Sequence, residues 1–174
     1  AAATLRAQDR VPVSDKALMG AALTALWPAR MQRLGSGPLT ALVRSTAEIW
    51  LDGGHNAAAG DAVSAAIRDR AAGRPIHLMC GMLANKDVAG LLGPFAGFAR
   101  SLTAIPVPGH DHHAPDSLCR KARELGIADG WIAPDPAAAL RQLSGRISPN
   151  SMILILGSLY LAGEVLAMNG EYPD

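Results

Sequence analysis

The sequence predicts an α/β fold, a mixed but mostly parallel sheet with helices on both faces. Three observations lead there. From residue 56 onward short apolar runs alternate with helix-length segments, the rhythm of right-handed βαβ units. The run Met152-Ile153-Leu154-Ile155-Leu156 is apolar at every position, as a central parallel strand covered on both faces must be. Hydrophobic residues make up 49% of the chain and aromatics only 4%, with abundant alanine and glycine, which suits helices packed closely on a sheet.

Each element has its own local reason. Residues 1–8 read as the end of a helix. Ser14 stands where an N-cap would serve a second helix, residues 15–25, with Asp15 favourable in its first turn. Pro28 ends that helix, and residues 28–38 read as a crossing between domains. The apolar runs 39–44 and 48–52 are separated only by Ser45 to Ala47, which predicts an antiparallel hairpin. There follow helix 56–72, strand 76–80, helix 87–98, strand 101–107, helix 116–125, strand 130–133, helix 136–146, strand 152–156 and helix 159–168. Asn56, Asp135 and Ser158 fit as N-caps, Pro136 as a first-turn proline, and Gly126 as a C-terminal glycine.

Composition excludes several classes. The 174 residues suit one domain and a little more. Charged residues make up 18% and the net charge is +1, so the chain lacks the basic surplus of a dedicated nucleic-acid binder. No apolar run approaches the length of a membrane span, and no basic-then-apolar leader opens the sequence. Cys80 and Cys119 lack CxxC spacing and read as reduced thiols, Cys80 as a small buried hydrophobe, so a cytoplasmic location is expected.

The most informative stretch is Trp50-Leu51-Asp52-Gly53-Gly54-His55-Asn56. A strand delivers a carboxylate to a glycine turn, and an imidazole and an amide follow at a helix start. Ligands often sit at such strand-to-helix turns in α/β sheets. A polar turn with Asn56 as N-cap explains the same residues. Lys86-Asp87 stands at another strand end, where Asp87 fits either an N-cap or a cleft-facing role. His110-Asp111-His112-His113 invites a zinc reading, but His112 and His113 are adjacent and no distant Cys or Glu motif completes a four-ligand set. A proline-framed loop is favoured and no metal ligand is assigned. Tyr160 is expected to pack. No G-x-S-x-G element and no G-x-x-x-x-G-K-[ST] phosphate loop occurs.

Four short motifs, in order, resemble those of the folylpolyglutamate synthase and dihydrofolate synthase family, folate-directed relatives of the Mur ligases. They are Trp27-Pro28-Ala29-Arg30-Met31-Gln32, Asp52-Gly53-Gly54-His55-Asn56, Gly81-Met82-Leu83-Ala84-Asn85-Lys86-Asp87 and Gly157-Ser158-Leu159-Tyr160-Leu161-Ala162-Gly163-Glu164. The resemblance implies a Rossmann-like domain of the Mur ligase C-terminal type over residues 30–174. It implies that residues 1–29 are the tail of an N-terminal ATPase domain with its linker, and that the chain is the C-terminal part of a longer enzyme. That enzyme would add L-glutamate to dihydropteroate or folates through an acyl phosphate, with ATP and Mg²⁺ bound mainly by its own N-terminal ATPase domain. The resemblance assigns Arg30 a catalytic role toward transferring phosphate, and Asp52, His55 and Asn56 a nucleotide role. Lys86, Asp87 and His110 become substrate-side candidates. Neither nucleic acid nor membrane is an expected partner. The alternative is a stand-alone nucleotide or small-molecule binding module without catalysis.

Overall fold

The computed structural model describes residues 14–17, 20, 27–43 and 46–171. The expected helix over residues 1–8 lies outside them, as does most of that over 15–25. Its start is visible, where Ser14 Oγ accepts the Ala17 amide at 3.2 Å.

Eleven elements carry the fold among the described residues: β1 Gln32–Arg33, β2 Glu48–Leu51, α1 Ala57–Ala71, β3 Ile76–Cys80, α2 Val88–Leu92, β4 Ala99–Ala104, α3 Pro115–Glu124, β5 Asp129–Ile132, α4 Pro136–Ser144, β6 Met152–Leu156 and α5 Leu159–Asn169. They form one six-stranded sheet in the order β1-β2-β6-β3-β4-β5. Only β1 runs antiparallel to its neighbour; β2, β6, β3, β4 and β5 are mutually parallel. The all-apolar β6 lies between β2 and β3, the central place its sequence requires, and all five of its residues are buried.

The chain crosses from β2 over the position of β6 to β3, steps outward through β4 to β5, then returns to fill the gap. The direction of travel sorts the helices. Helices α1, α2 and α3 pack on one face through Ile67, Leu91 and Leu118, against Leu78, Leu102 and Leu154. Helices α4 and α5 pack on the other through Leu140, Leu143, Leu161 and Val165, against Ile49, Met79, Ile153 and Ile155. Alternation along each strand divides the two cores: Leu154 faces one, Ile153 and Ile155 the other.

Two expectations are corrected. The run 39–44 does not pair with β2. Thr40–Leu42 is a 3-10 turn, and the antiparallel partner of β2 is Gln32–Arg33, inside the segment read as a crossing. The side chain of Asn169 draws the 39–44 run away, its Oδ1 accepting the amides of Leu39 and Thr40. The expected helix over 87–98 is a single turn, Val88–Leu92, continued by the 3-10 turn Gly93–Phe95, because Pro94 supplies no amide for an α-helical bond. Asn56, Asp135 and Ser158 cap their helices by accepting the amides of Ala59, Ala138 and Tyr160. Asp87 holds the N-cap position of α2 without a side-chain cap bond.

Candidate functional site at the carboxyl ends of the strands

Strand β6 ends at Leu156 between the ends of β2 and β3, and the backbone beyond laces the three together. Gly157 N donates to Gly54 O at 2.9 Å and Gly81 N to Leu156 O at 3.3 Å, and next to them Ile105 N, just past β4, donates to Cys80 O at 3.0 Å and ties β4 to β3. Gly157 is obligatory there. Its φ is +112°, and a Cβ would stand 2.7 Å from Gly81 O. Gly53 serves closeness instead: a Cβ on it would fall 2.2 Å from Leu159 Cδ2, so the first turn of α5 lies directly on the end of β2.

Asp52 organises the first group of candidate residues. Its side chain is 4% exposed, and each oxygen accepts one backbone amide, Oδ1 from Gly54 at 2.7 Å and Oδ2 from Met31 at 2.8 Å. A second tie runs beside it, from Gly53 N to Ala29 O at 2.8 Å. Ala29 in turn donates its amide to Gln32 Oε1 at 2.9 Å. The chain around Arg30 is therefore pinned on both sides. Ala29 and Met31 both hold left-handed backbone, with φ of 54° and 44°, strained for residues with a Cβ and held by these bonds. Arg30 is exposed between them, and its guanidinium has no hydrogen bond or ion pair among the described residues. His55 is half-buried, its Nδ1 3.1 Å from Gly53 O, which leaves Nε2 for another partner. Asn56 Oδ1 is committed to the helix cap, so only its amide nitrogen remains for a ligand.

The second group lies after β3 and β4. An isolated antiparallel bridge joins Leu83 to His112, and His113 N donates to Met82 O at 2.9 Å. His113 Nε2 lies 2.8 Å from Lys86 O, fastening the loop that carries Lys86 and Asp87 to the histidine loop. Lys86 is half-buried and Asp87 exposed, and both line a cleft of about 560 Å³ beside α3. His110 is exposed and stacks on Tyr160, centroids 3.7 Å apart and planes 25° from parallel. Tyr160 does not pack into the core; it is 57% exposed, because Leu161 and Val165 already supply the inner face of α5. Each of the three imidazoles has its own partner: His110 stacks on Tyr160, His112 Nδ1 lies 2.7 Å from His110 O, and His113 Nε2 meets Lys86 O. Among the described residues no group of three or more His, Cys, Asp or Glu is placed to hold a metal ion.

Arg30, Asp52, His55 and Asn56 thus form one cluster; Lys86, Asp87 and His110 form another at the same end of the sheet. No side-chain hydrogen bond joins the two among the described residues. Sequence reasoning missed the brace made by Asp52, the His113 clip and the His110–Tyr160 stack. All three depend on contacts between segments distant in sequence, for which no local spacing gives a signal.

Burial acts on nearby ionisable groups. It pushes the Cys80 thiol up to about 12 and raises that of Cys119. Glu164, at the end of the fourth motif, is raised by burial and then by the charge of Asp135.

Parallel strands, a turn bearing an exposed arginine and a glycine-rich strand end come together at the carboxyl edge of the sheet, the edge where ligands sit in doubly wound folds generally. Comparison with known proteins places the fold and the family. The chain is 27% identical over 158 residues to the folylpolyglutamate synthase of Lacticaseibacillus casei, a match covering 91% of this chain and 33% of that protein. In structure it resembles Escherichia coli FolC in complex with DHPP and ADP (TM-score 0.76, 20% identity, 95% of this chain and 36% of that one). It also resembles Mycobacterium tuberculosis folylpolyglutamate synthase complexed with ADP and AMPPCP (TM-score 0.75, 19% identity, 93% and 36%). The chain spans about a third of the length of the Lacticaseibacillus casei protein. The sequence model of the Mur ligase, glutamate ligase domain matches residues 29–159, and the chain belongs to that family.

Proposed function

We propose that this chain is the C-terminal, glutamate-ligating domain of a folylpolyglutamate or dihydrofolate synthase, with residues 1–29 leading in from an N-terminal ATPase domain. The reaction is an ATP-dependent amide ligation. The γ-phosphoryl group of ATP passes to a folate or dihydropteroate carboxylate, giving an acyl phosphate and ADP. The neutral amine of L-glutamate attacks the acyl carbon, the amide C–N bond forms, phosphate leaves with the C–O electron pair, and the nitrogen gives up one proton to the released phosphate or to water. Mg²⁺ and most phosphate contacts belong to the ATPase domain.

The observation that carries this reading is the double anchoring of the Arg30 turn on the Asp52-Gly53-Gly54 strand end, in a chain of the glutamate ligase family. Arg30 is the residue for the transferring phosphoryl group. Its planar fork matches phosphate oxygens, and its rigid turn sets it in place before the substrate arrives. His55 and Asn56 face the nucleotide, with Asp52 positioning both them and Arg30. Lys86, Asp87 and His110 flank the incoming glutamate.

The test is ATP turnover with folate and L-glutamate by this chain joined to its own upstream domain. Removing Arg30 by Arg30→Ala is expected to cost about 2–4 kcal/mol of transition-state stabilisation, mostly in kcat. The 174-residue chain alone is expected to show no turnover. Unchanged kinetics in the variant would make Arg30 a solvated surface residue and remove the basis of the reading.

A further inference from the structure

At the opposite, amino-terminal end of the sheet lies a cleft of about 230 Å³ whose charged lining is entirely arginine: Arg68, Arg74 and Arg100. Its apolar floor includes Ala71, Ile76 and Phe98. Arg74 is spoken for. It holds both carboxylate oxygens of Glu48, with Nη1 3.2 Å from Oε1 and Nη2 3.3 Å from Oε2, and donates to the carbonyls of Ala71 and Arg70. Arg70 answers the Ala66 carbonyl at 3.2 Å. The last two carbonyls of α1, those of Arg70 and Ala71, are therefore capped by Arg74, and Arg68 takes no part in the cap.

Arg68 and Arg100 make no hydrogen bond or ion pair among the described residues. Arg68 is nonetheless held, its guanidinium 4.4 Å from the centroid of the Phe98 ring. Such a fork is ordered on one face while its N–H edge stays open, the state in which arginine loses least on taking up an oxyanion. Arg100 projects from the second residue of β4, next to the buried His77–Ser101 pair, whose Nδ1 and Oγ are 2.7 Å apart. Two open guanidinium groups with no carboxylate in the lining, above an apolar floor, form a site for an anion with a small hydrophobic body.

We propose that this cleft binds a compact phosphate- or carboxylate-bearing molecule, held by Arg68 and Arg100 at the end of the sheet opposite the candidate nucleotide site. The inference stands on the lining residues and is independent of the ligase reading. A volume of about 230 Å³ admits a single anionic group on one ring or a short aliphatic body, not a polymer.

The test is a nuclear magnetic resonance titration of the 174-residue chain with phenyl phosphate, and separately with benzoate, at low salt. Saturable shifts are expected for the amides of residues 71–76 and 97–101 and for the Nε–H groups of Arg68 and Arg100. The double variant Arg68→Gln/Arg100→Gln is expected to weaken binding by about tenfold or more at unchanged melting temperature, while Arg30→Gln binds as the parent does. The stronger of the two probes identifies the anion as phosphate or carboxylate. Absence of saturable shifts with either probe, affinity unchanged in the double variant, or affinity lost in Arg30→Gln would each overturn the proposal.

Discussion

Asp52 ties the Arg30 turn to the end of β2 through a single side chain. A buried carboxylate that accepts two amides is a costly group made acceptable by complete pairing. Asp52→Asn keeps the shape but turns an N–H₂ group toward a backbone N–H, leaving two donors facing each other. The expected loss is about 1–3 kcal/mol of stability, read from urea unfolding. The same variant should free the Arg30 turn, seen as faster amide exchange at Met31 and Gly54. Stability and exchange both equal to the parent would mean that Asp52 does not brace the turn. Cys80 shows the opposite case, a group with reactive chemistry that burial silences. With its thiol pushed up to about 12 and no exposed surface, it is expected to resist a thiol reagent at pH 8 until the chain unfolds.

Two glutamates, Glu48 on β2 and Glu164 on α5, give opposite pH signatures. Glu48 is held below its ordinary value, first by the hydrogen bond from Arg74 and then by that from the Trp50 indole. Its contribution to stability is complete above the unfolded-state value of 4.5 and is lost as pH falls through the lower folded value. Glu164 is raised, so the folded state holds its proton more tightly, and its effect turns unfavourable as pH rises from the unfolded toward the folded value. Glu48→Gln is therefore expected to lower the urea midpoint at pH 7, by an amount that shrinks in acid. Glu164→Gln is expected to raise it at pH 7, again with the difference vanishing in acid. The same sign for both variants at pH 7 would contradict these assignments. At this scale most of the fold was legible, because β3, β6, α1 and α5 are written in local apolar runs and capping residues. The false hairpin was not. Residues 39–44 are apolar enough for a strand, and only the distant Asn169 side chain, bonded to Leu39 and Thr40, converts them into a turn. The pairing of β1 was equally hidden, since two residues carry no periodicity.

At the scale of the molecule, the placement of exposed apolar surface is the telling feature. Among the described residues, the large hydrophobic side chains left exposed are Trp27, Ile132, Leu159 and Tyr160. Ile132 ends β5, Leu159 and Tyr160 open α5 just beyond β6, and Trp27 precedes the turn tied to the end of β2. All four therefore belong to the carboxyl-end side that also carries Arg30, His55 and His110. The motifs made the cluster of Arg30, Asp52, His55 and Asn56 legible one residue at a time. They gave no sign of this shared face, because its members come from five separate segments. Under the ligase reading, that face meets the upstream ATPase domain, and catalysis occurs between the two. Substituting Leu159→Ser and Tyr160→Ser together is then expected to cost the 174-residue chain no more than about 1–2 kcal/mol, the worth of the Leu159 contact with Gly53 and of the Tyr160–His110 stack, and to leave it folded. In the joined protein the same pair should lower kcat/KM by about tenfold, since a misplaced face displaces Arg30 from the phosphoryl group. Trp27 supplies an independent readout among three tryptophans. Its fluorescence, isolated by comparison with Trp27→Phe, should shift to the blue when the upstream domain is present. Emission equally red in the joined protein, together with unaltered kcat/KM in the double variant, would mean that the catalytic partner approaches from elsewhere.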